Sequence, residues 1–108
     1  MNNELPAIDP PPASLGGVFV YILTCPGGAL YVGNAKDVSQ RISLHQTGQG
    51  AKFTHDHIAV KLVYVEGPFE LTEAVRRESQ IKRWSRAKKL ALIRCDHDRL
   101  KQLAQSRD

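Results

Sequence analysis

The sequence predicts a small α/β domain in which a three-stranded, mostly antiparallel sheet is flanked by helices. Short apolar or alternating stretches near residues 18–24, 29–33 and 60–66 predict the three strands. Elsewhere, apolar residues recur at helical spacing between residues suited to start or stop a helix. With 108 residues and no internal repeat, the chain is expected to bury one modest hydrophobic core.

The N-terminus differs in composition from the rest of the chain. Four of the six prolines fall within residues 1–15, which predicts a disordered or poorly ordered tail there and one domain over residues 16–108. The chain holds no apolar run near the ~18 residues of a membrane span, and no secretory signal pattern. We therefore expect a cytoplasmic protein without a membrane partner.

The first two predicted strands form a β-hairpin, because only the Gly-rich turn at residues 25–28 separates them. Each strand carries one tyrosine, Tyr21 or Tyr31, so the two side chains are expected to lie close together. A buried aromatic ring needs no hydroxyl, and two tyrosines in one hairpin therefore suggest a polar site. Ordinary cross-strand packing is the alternative interpretation.

The first predicted helix spans residues 37–46. Asp37 is suited to an N-cap position, and Gly48 lies where the helix is expected to stop. Arg41 and His45 are four residues apart and therefore share one helical face. Taken alone, such a pair usually belongs to a solvated surface.

A longer helix is predicted over residues 70–84. Its apolar residues follow helical spacing: Leu71, Ala74, Val75 and Ile81. Glu78 stands within this stripe, where a carboxylate is costly unless it is paired, hydrogen-bonded or bound to a cation. One interpretation is a buried ion pair, for instance with Arg41, or a position at the edge of the stripe. The other is a carboxylate that holds a divalent metal ion.

Two shorter helices complete the predicted fold. Ser85 is a suitable N-cap for a helix over residues 86–93, and it separates this helix from the preceding one. A last helix is predicted over residues 98–104, with Leu100 and Leu103 available for docking against the core.

Positive charge is concentrated in residues 76–89. The net charge of the chain is +4, but this stretch holds a single acidic residue, Glu78, among seven basic residues: Arg76, Arg77, Lys82, Arg83, Arg86, Lys88 and Lys89. Such a surface favours salt-sensitive binding to phosphates with little sequence readout, whereas solubility is the alternative explanation. Lys52, in the polar loop before the third strand, is also placed where it could touch a nucleic acid.

These positions, in this order, resemble the GIY-YIG nuclease domain, and in particular small stand-alone bacterial proteins of the YhbQ-like kind. The resemblance covers residues 19–93 and includes the following residues: Tyr21, Tyr31, Gly33, Arg41, His45 and Glu78. Three positions depart from the family pattern. Phe19 replaces a glycine, Ala35 replaces a frequent Thr or Ser, and Phe53 replaces a frequent Tyr. These departures bear on catalytic rate more than on the fold.

The resemblance implies a catalytic role for each motif residue. Tyr21 matches a tyrosine that deprotonates or positions the attacking water, and Tyr31 matches one that lies beside the scissile phosphate. Arg41 matches the arginine that stabilises charge on the phosphoryl group, as suits a rigid fork of donors. His45 matches a histidine that assists proton transfer in some relatives. Glu78 matches the single carboxylate that holds Mg²⁺ or Mn²⁺, which can suffice because these ions also bind water and phosphate oxygens.

Two main classes of function follow for this sequence. The first is a divalent-metal-dependent endonuclease acting on DNA, with RNA as a second option, and selective for structure or single strands because the chain has no room for a separate recognition domain. The second is a nucleic-acid-binding module with little or no cleavage, and a protein-interaction adaptor is a weaker third. Pure binding does not require Tyr21, Tyr31, Arg41 and Glu78 together, so the sequence favours the endonuclease; it predicts no particular oligomeric state.

Overall fold

Three antiparallel strands form the sheet at the centre of the molecule. They are β1 (Val18–Thr24), β2 (Leu30–Ala35) and β3 (Lys61–Phe69), and they lie in the order β2-β1-β3. The computed structural model describes residues 5–46 and 60–105. Within these ranges the mixed α/β architecture confirms the predicted fold class. β3 runs three residues beyond its predicted end, and Pro68 is tolerated there because an edge strand needs fewer backbone donors.

Helices occupy both faces of the sheet. They are α1 (Val38–Gln46), α2 (Leu71–Lys82), α3 (Arg86–Ile93) and α4 (His97–Gln105), and a short 3₁₀ turn lies at Pro26–Gly28. The predicted bounds of α3 are confirmed, and those of the other helices differ by one or two residues at an end. No helix in the described ranges is long and apolar enough to cross a bilayer.

Side-chain caps explain where α1, α3 and α4 begin. The Asp37 carboxylate accepts a hydrogen bond from the Gln40 amide at 3.1 Å, and the Ser85 hydroxyl accepts one from the Lys88 amide at 3.1 Å. Both caps were predicted. Asp96 caps α4 in the same way, a role that the sequence analysis did not assign.

The central strand β1 is buried on both faces, because helices cover both. Its residues Val20 and Ile22 pack with Ala74 and Ile81 of α2, and we call this side of the sheet the α2 side. Alternate residues point the other way and pack with α1, on what we call the α1 side: Phe19, Tyr21 and Leu23 contact Val38 there. The two-residue period of the strand therefore sends Tyr21 to the α1 side.

The described part of the N-terminal segment contacts the domain. Leu5 is buried in the α2-side cluster, the Ile8 amide donates to the Leu62 carbonyl, and the Ser14 amide donates to the Lys36 carbonyl, each at 2.9 Å. The sequence predicted a disordered tail over residues 1–15. The structure differs over residues 5–14, because Leu5 supplies an apolar anchor and the edge strand β3 offers an unpaired carbonyl. The domain boundary at residue 16 stays a prediction.

Candidate active site

The hairpin brings two tyrosines together on the α1 side. The ring centroids of Tyr21 and Tyr31 are 6.2 Å apart. The register places Gly33 directly across from Tyr21, and a Cβ atom at residue 33 would lie 2.7 Å from the Tyr21 hydroxyl oxygen. A side chain there would collide with the phenol. Gly33 is therefore needed for the position of the Tyr21 ring, which explains on steric grounds why the motif ends in glycine.

Helix α1 adds Arg41 to this pair. Arg41 is exposed, and its guanidinium lies near enough to the Tyr21 hydroxyl to favour the ionised phenolate. Burial raises the pKa of Tyr21 well above its usual value, and the neighbouring Tyr31 and Glu78 raise it further, whereas Arg41 opposes the increase. Tyr21 therefore stays protonated at neutral pH. In this state its hydroxyl can donate a hydrogen bond to a water or to a phosphate oxygen.

Glu78 reaches the edge strand β2 from the α2 side. Its Oε1 atom accepts a hydrogen bond from the Asn34 side-chain amide, and its Oε2 atom pairs with the Lys82 ammonium at 2.6 Å. The Glu78 side chain is 15% exposed, whereas that of Lys82 is 52% exposed. The partners in this cluster are therefore Asn34 and Lys82, and not the Arg41 pairing that the sequence analysis offered as an example.

Asn34 is a candidate site residue that the sequence analysis missed. It directly follows the Tyr31-Val32-Gly33 motif, and strand alternation turns it to the α2 side beside Val32. A polar amide at that position, beneath a helix with a carboxylate in its apolar stripe, is the signal that would have identified it. Asn34 fixes one oxygen of Glu78 at the edge of β2.

These residues surround the edge strand β2 from both sides. Tyr21, Tyr31 and Arg41 occupy the α1 side, and Glu78 with Asn34 occupies the α2 side. The negative charge of Glu78 also contributes to the raised pKa of Tyr21. The geometry combines hydroxyl groups, a cationic fork and a carboxylate, the types of groups that phosphodiester hydrolysis needs.

Residues 17–91 match the family model of the GIY-YIG catalytic domain. The chain belongs to the GIY-YIG family. It is 50% identical over 76 residues to a UPF0213 protein of Staphylococcus aureus strain Mu3, covering 70% of this chain and 93% of that relative, and the values for strain Mu50 are the same. The chain is also similar to the UPF0213 protein BH0048 from Bacillus halodurans, whose solution NMR structure is known. The two sequences are 39% identical, the match covers 73% of this chain and 84% of that one, and the TM-score is 0.48.

Membership confirms the predicted resemblance to small stand-alone GIY-YIG proteins. It implies nuclease-type activity on a nucleic acid, and nucleases of this family generally use divalent metal ions. Within residues 5–46 and 60–105, no group of three or more His, Cys, Asp and Glu side chains could hold a metal. Glu78 is the carboxylate that the sequence analysis assigned to the metal ion, and that role stays a prediction.

Two predicted site residues cannot be placed in this geometry. His45 belongs to α1, but its side chain lies outside the described residues, and so does Lys52 with Phe53 in the segment 47–59. Their assistance in proton transfer and in nucleic-acid contact stays a prediction.

The basic residues of the GIY-YIG domain do not form one free surface. Four of them have partners: Lys82 pairs with Glu78, Arg77 with Glu66, Arg86 donates to the Gly28 carbonyl at 2.6 Å, and Lys88 lies over the Trp84 ring. Arg76 and Arg83 are exposed, and Lys89 is half-buried. Some of these seven residues therefore hold the structure together, and others are exposed. Their role in nucleic-acid binding stays a prediction.

Proposed function

We propose that this protein is a divalent-metal-dependent endonuclease that hydrolyses DNA phosphodiester bonds. It would select branched or single-stranded structures and read little sequence. The observation that supports this most directly is the arrangement around β2, where the rings of Tyr21 and Tyr31 lie 6.2 Å apart on one side. On the other side, the Asn34 amide holds the Glu78 carboxylate. A surface that only binds DNA needs cations, but it does not need two tyrosines and a carboxylate gathered around one strand.

The residues fit a site for Mg²⁺ or Mn²⁺ based on one carboxylate. Asn34 holds Oε1 of Glu78, while Oε2 contacts Lys82, whose side chain is half-exposed and free to swing away. Hard divalent ions prefer such oxygen ligands and commonly complete their coordination with water and substrate phosphates. When bound, the ion would supply Lewis-acid stabilisation of the phosphoryl oxygens.

The protein's own side chains would prepare the phosphate for attack. Arg41, which is exposed, would bind the phosphoryl oxygens and stabilise the charge that develops on them. The Tyr21 hydroxyl, which stays protonated, would orient the attacking water or donate to a phosphate oxygen. The proton of the attacking water would then pass to another group, and His45 is the predicted candidate.

The test is incubation with flapped, branched, single-stranded and fully duplex DNA, with Mg²⁺ or Mn²⁺ against EDTA. We expect cleavage only with metal, and more of it on the flapped and single-stranded substrates. Arg41→Ala should lower the rate by roughly 10²–10³, by comparison with removal of one transition-state donor. Arg99→Ala on α4, an exposed arginine far along the chain, is the matched control and should cleave normally.

A nucleic-acid-binding module without cleavage is the second candidate. It is favoured by the occupation of both Glu78 oxygens by Asn34 and Lys82, and by the complete burial of Tyr21. If the protein binds all four DNA substrates but cleaves none of them with either metal, the endonuclease proposal is wrong and this candidate replaces it.

A further inference from the structure

A surface cavity of about 360 Å³ lies between α2, α3 and α4, away from the tyrosines. Its lining residues are Arg77, Gln80, Trp84, Lys88, His97, Leu100, Lys101 and Ala104. This lining combines three cations, one histidine and one large aromatic ring, and it contains no acidic residue. A concave site of this size and charge suits a small anionic ligand that carries a flat apolar part.

The two cations beside the Trp84 ring are held very differently. The Arg77 guanidinium lies 5.3 Å from the ring centroid and is fixed by its ion pair with Glu66. The Lys88 ammonium lies 4.6 Å from the centroid, and in the described residues no carboxylate pairs with Lys88 or with Lys101. Lys88 and Lys101 therefore bring positive charge to the cavity that its own lining does not neutralise.

We propose that this cavity binds one nucleotide of a single-stranded nucleic acid. The base would stack on Trp84, and its phosphate would contact Lys88 and Lys101. A base that stacks there would displace the Lys88 ammonium from the ring, and the ammonium is then free to bind the phosphate. Aromatic rings beside a cationic groove bind single strands in this way with little sequence preference.

The cavity is separate from the candidate active site but shares helix α2 with it. Arg77 and Glu78 are neighbours in sequence, yet Arg77 reaches Glu66 on β3 and Glu78 reaches Asn34 on β2. A strand that crosses α2 would contact both sites at once. The inference rests on the proposed nuclease function, and it would give the active site its preference for unpaired substrates.

Trp84 is the only tryptophan of the chain, so its fluorescence reports directly on this cavity. The full chain is titrated in EDTA, where cleavage is prevented, with an oligothymidine, with an abasic oligomer of equal length, and with inorganic phosphate. We expect strong quenching by the oligothymidine and much weaker quenching by the other two. Equal quenching by the abasic oligomer would overturn base stacking, and quenching by phosphate alone would reduce the cavity to an anion site.

Variants test the same contacts by a second measurement, the fluorescence anisotropy of a labelled oligothymidine. Trp84→Leu should weaken binding by roughly tenfold, the loss expected for one stacked base. Because Trp84 also packs against the core, Lys101→Gln provides a variant that spares it, and Arg99→Gln on the same helix is the matched control. Weaker binding by Lys101→Gln than by Arg99→Gln supports the site, and equal binding by the two overturns it.

The outcomes separate this inference from the proposed function. Glu78→Gln should quench as the parent does while losing metal-dependent cleavage. Quenching without cleavage of any substrate by the parent would refute the endonuclease proposal alone. Cleavage of single strands without any quenching would refute the nucleotide site alone.

Discussion

Each edge of the sheet carries a carboxylate held by one neutral donor and one cation, but the two clusters differ in rigidity. At the β2 edge, Glu78 is held by the Asn34 amide and the Lys82 ammonium. At the β3 edge, Glu66 is held by the Tyr64 hydroxyl at 2.5 Å and by the Arg77 guanidinium. The two carboxylates are similarly shielded, since their side chains are 15% and 18% exposed.

The cations make the difference between the two clusters. Arg77 reaches both oxygens of Glu66, with its Nη2 atom 3.3 Å from Oε2, and its side chain is 27% exposed. Lys82 makes one contact and is 52% exposed. A planar fork held at two points is fixed, whereas an ammonium on a flexible stem exchanges readily with other cations. The comparison teaches that a metal ion is to be expected at Glu78, whose cation can be exchanged, and not at Glu66, whose cation is fixed.

The largest expected effect concerns cleavage. Glu78→Gln removes the exchangeable carboxylate, and we expect metal-dependent cleavage of single-stranded or flapped DNA to fall by at least roughly 10²–10³. Glu66→Gln removes the fixed one and should leave the rate nearly unchanged once the protein is folded. Single-turnover rates of both variants measure the difference. Equal losses in the two variants would show that the two clusters are not functionally distinct.

The second prediction concerns stability, where we expect the loss of Glu66 to have a larger effect than the loss of Glu78. Glu66→Gln disrupts a two-point ion pair and should lower the free energy of unfolding by about 1–3 kcal/mol. Glu78→Gln releases a half-exposed lysine and should cost less than about 1 kcal/mol. Urea unfolding in EDTA measures both. If Glu78→Gln costs more, the β2 cluster is the structural one, and the binding-module interpretation gains support.

The third prediction concerns competition for Glu78. Lys82→Gln removes the ammonium that occupies Oε2, so the protein should bind Mn²⁺ up to about fivefold more tightly, in line with a surface ion pair of up to about 1 kcal/mol. Titration calorimetry without DNA measures this affinity. Arg83→Gln, one residue further along, makes the same change of charge without touching Glu78 and is the control. An unchanged Mn²⁺ affinity for Lys82→Gln would show that the ammonium does not compete.

The sequence could predict those features that depend on local order along the chain. Strand alternation, helical spacing and the caps at Asp37 and Ser85 each involve residues within a few positions of one another, and they gave the fold class and the helix starts. The resemblance then identified Tyr21, Arg41 and Glu78 as candidates.

What the sequence could not predict depends on contacts across the fold. Asn34 lies 44 residues before Glu78, and the pairing appears only once α2 lies over β2. The β3 cluster was missed for the same reason. Arg77 looks like any other basic residue of its helix until the fold places Glu66 beside it. The contacts of Leu5 with the core are also non-local, and so the proline-rich composition alone predicted disorder.

The smallest effect is expected at alkaline pH, and it concerns Tyr21 of the central strand β1 and Tyr64 of the edge strand β3. Burial is the main cause that raises the pKa of both Tyr21 and Tyr64, and the hydrogen bond to Glu66 raises that of Tyr64 further. In the unfolded chain both titrate near their usual pKa of about 10. Above that pH the unfolded state therefore loses protons that the folded state keeps, and the free energy of unfolding falls as the pH rises. Tyr21→Phe and Tyr64→Phe should each make this fall shallower between pH values of about 9.5 and 11, whereas Tyr31→Phe serves as the comparison. Urea unfolding at several pH values measures the slope. An unchanged slope in Tyr21→Phe would show that the nearby Arg41 already lets this hydroxyl ionise. Tyr21 would then remain a candidate base.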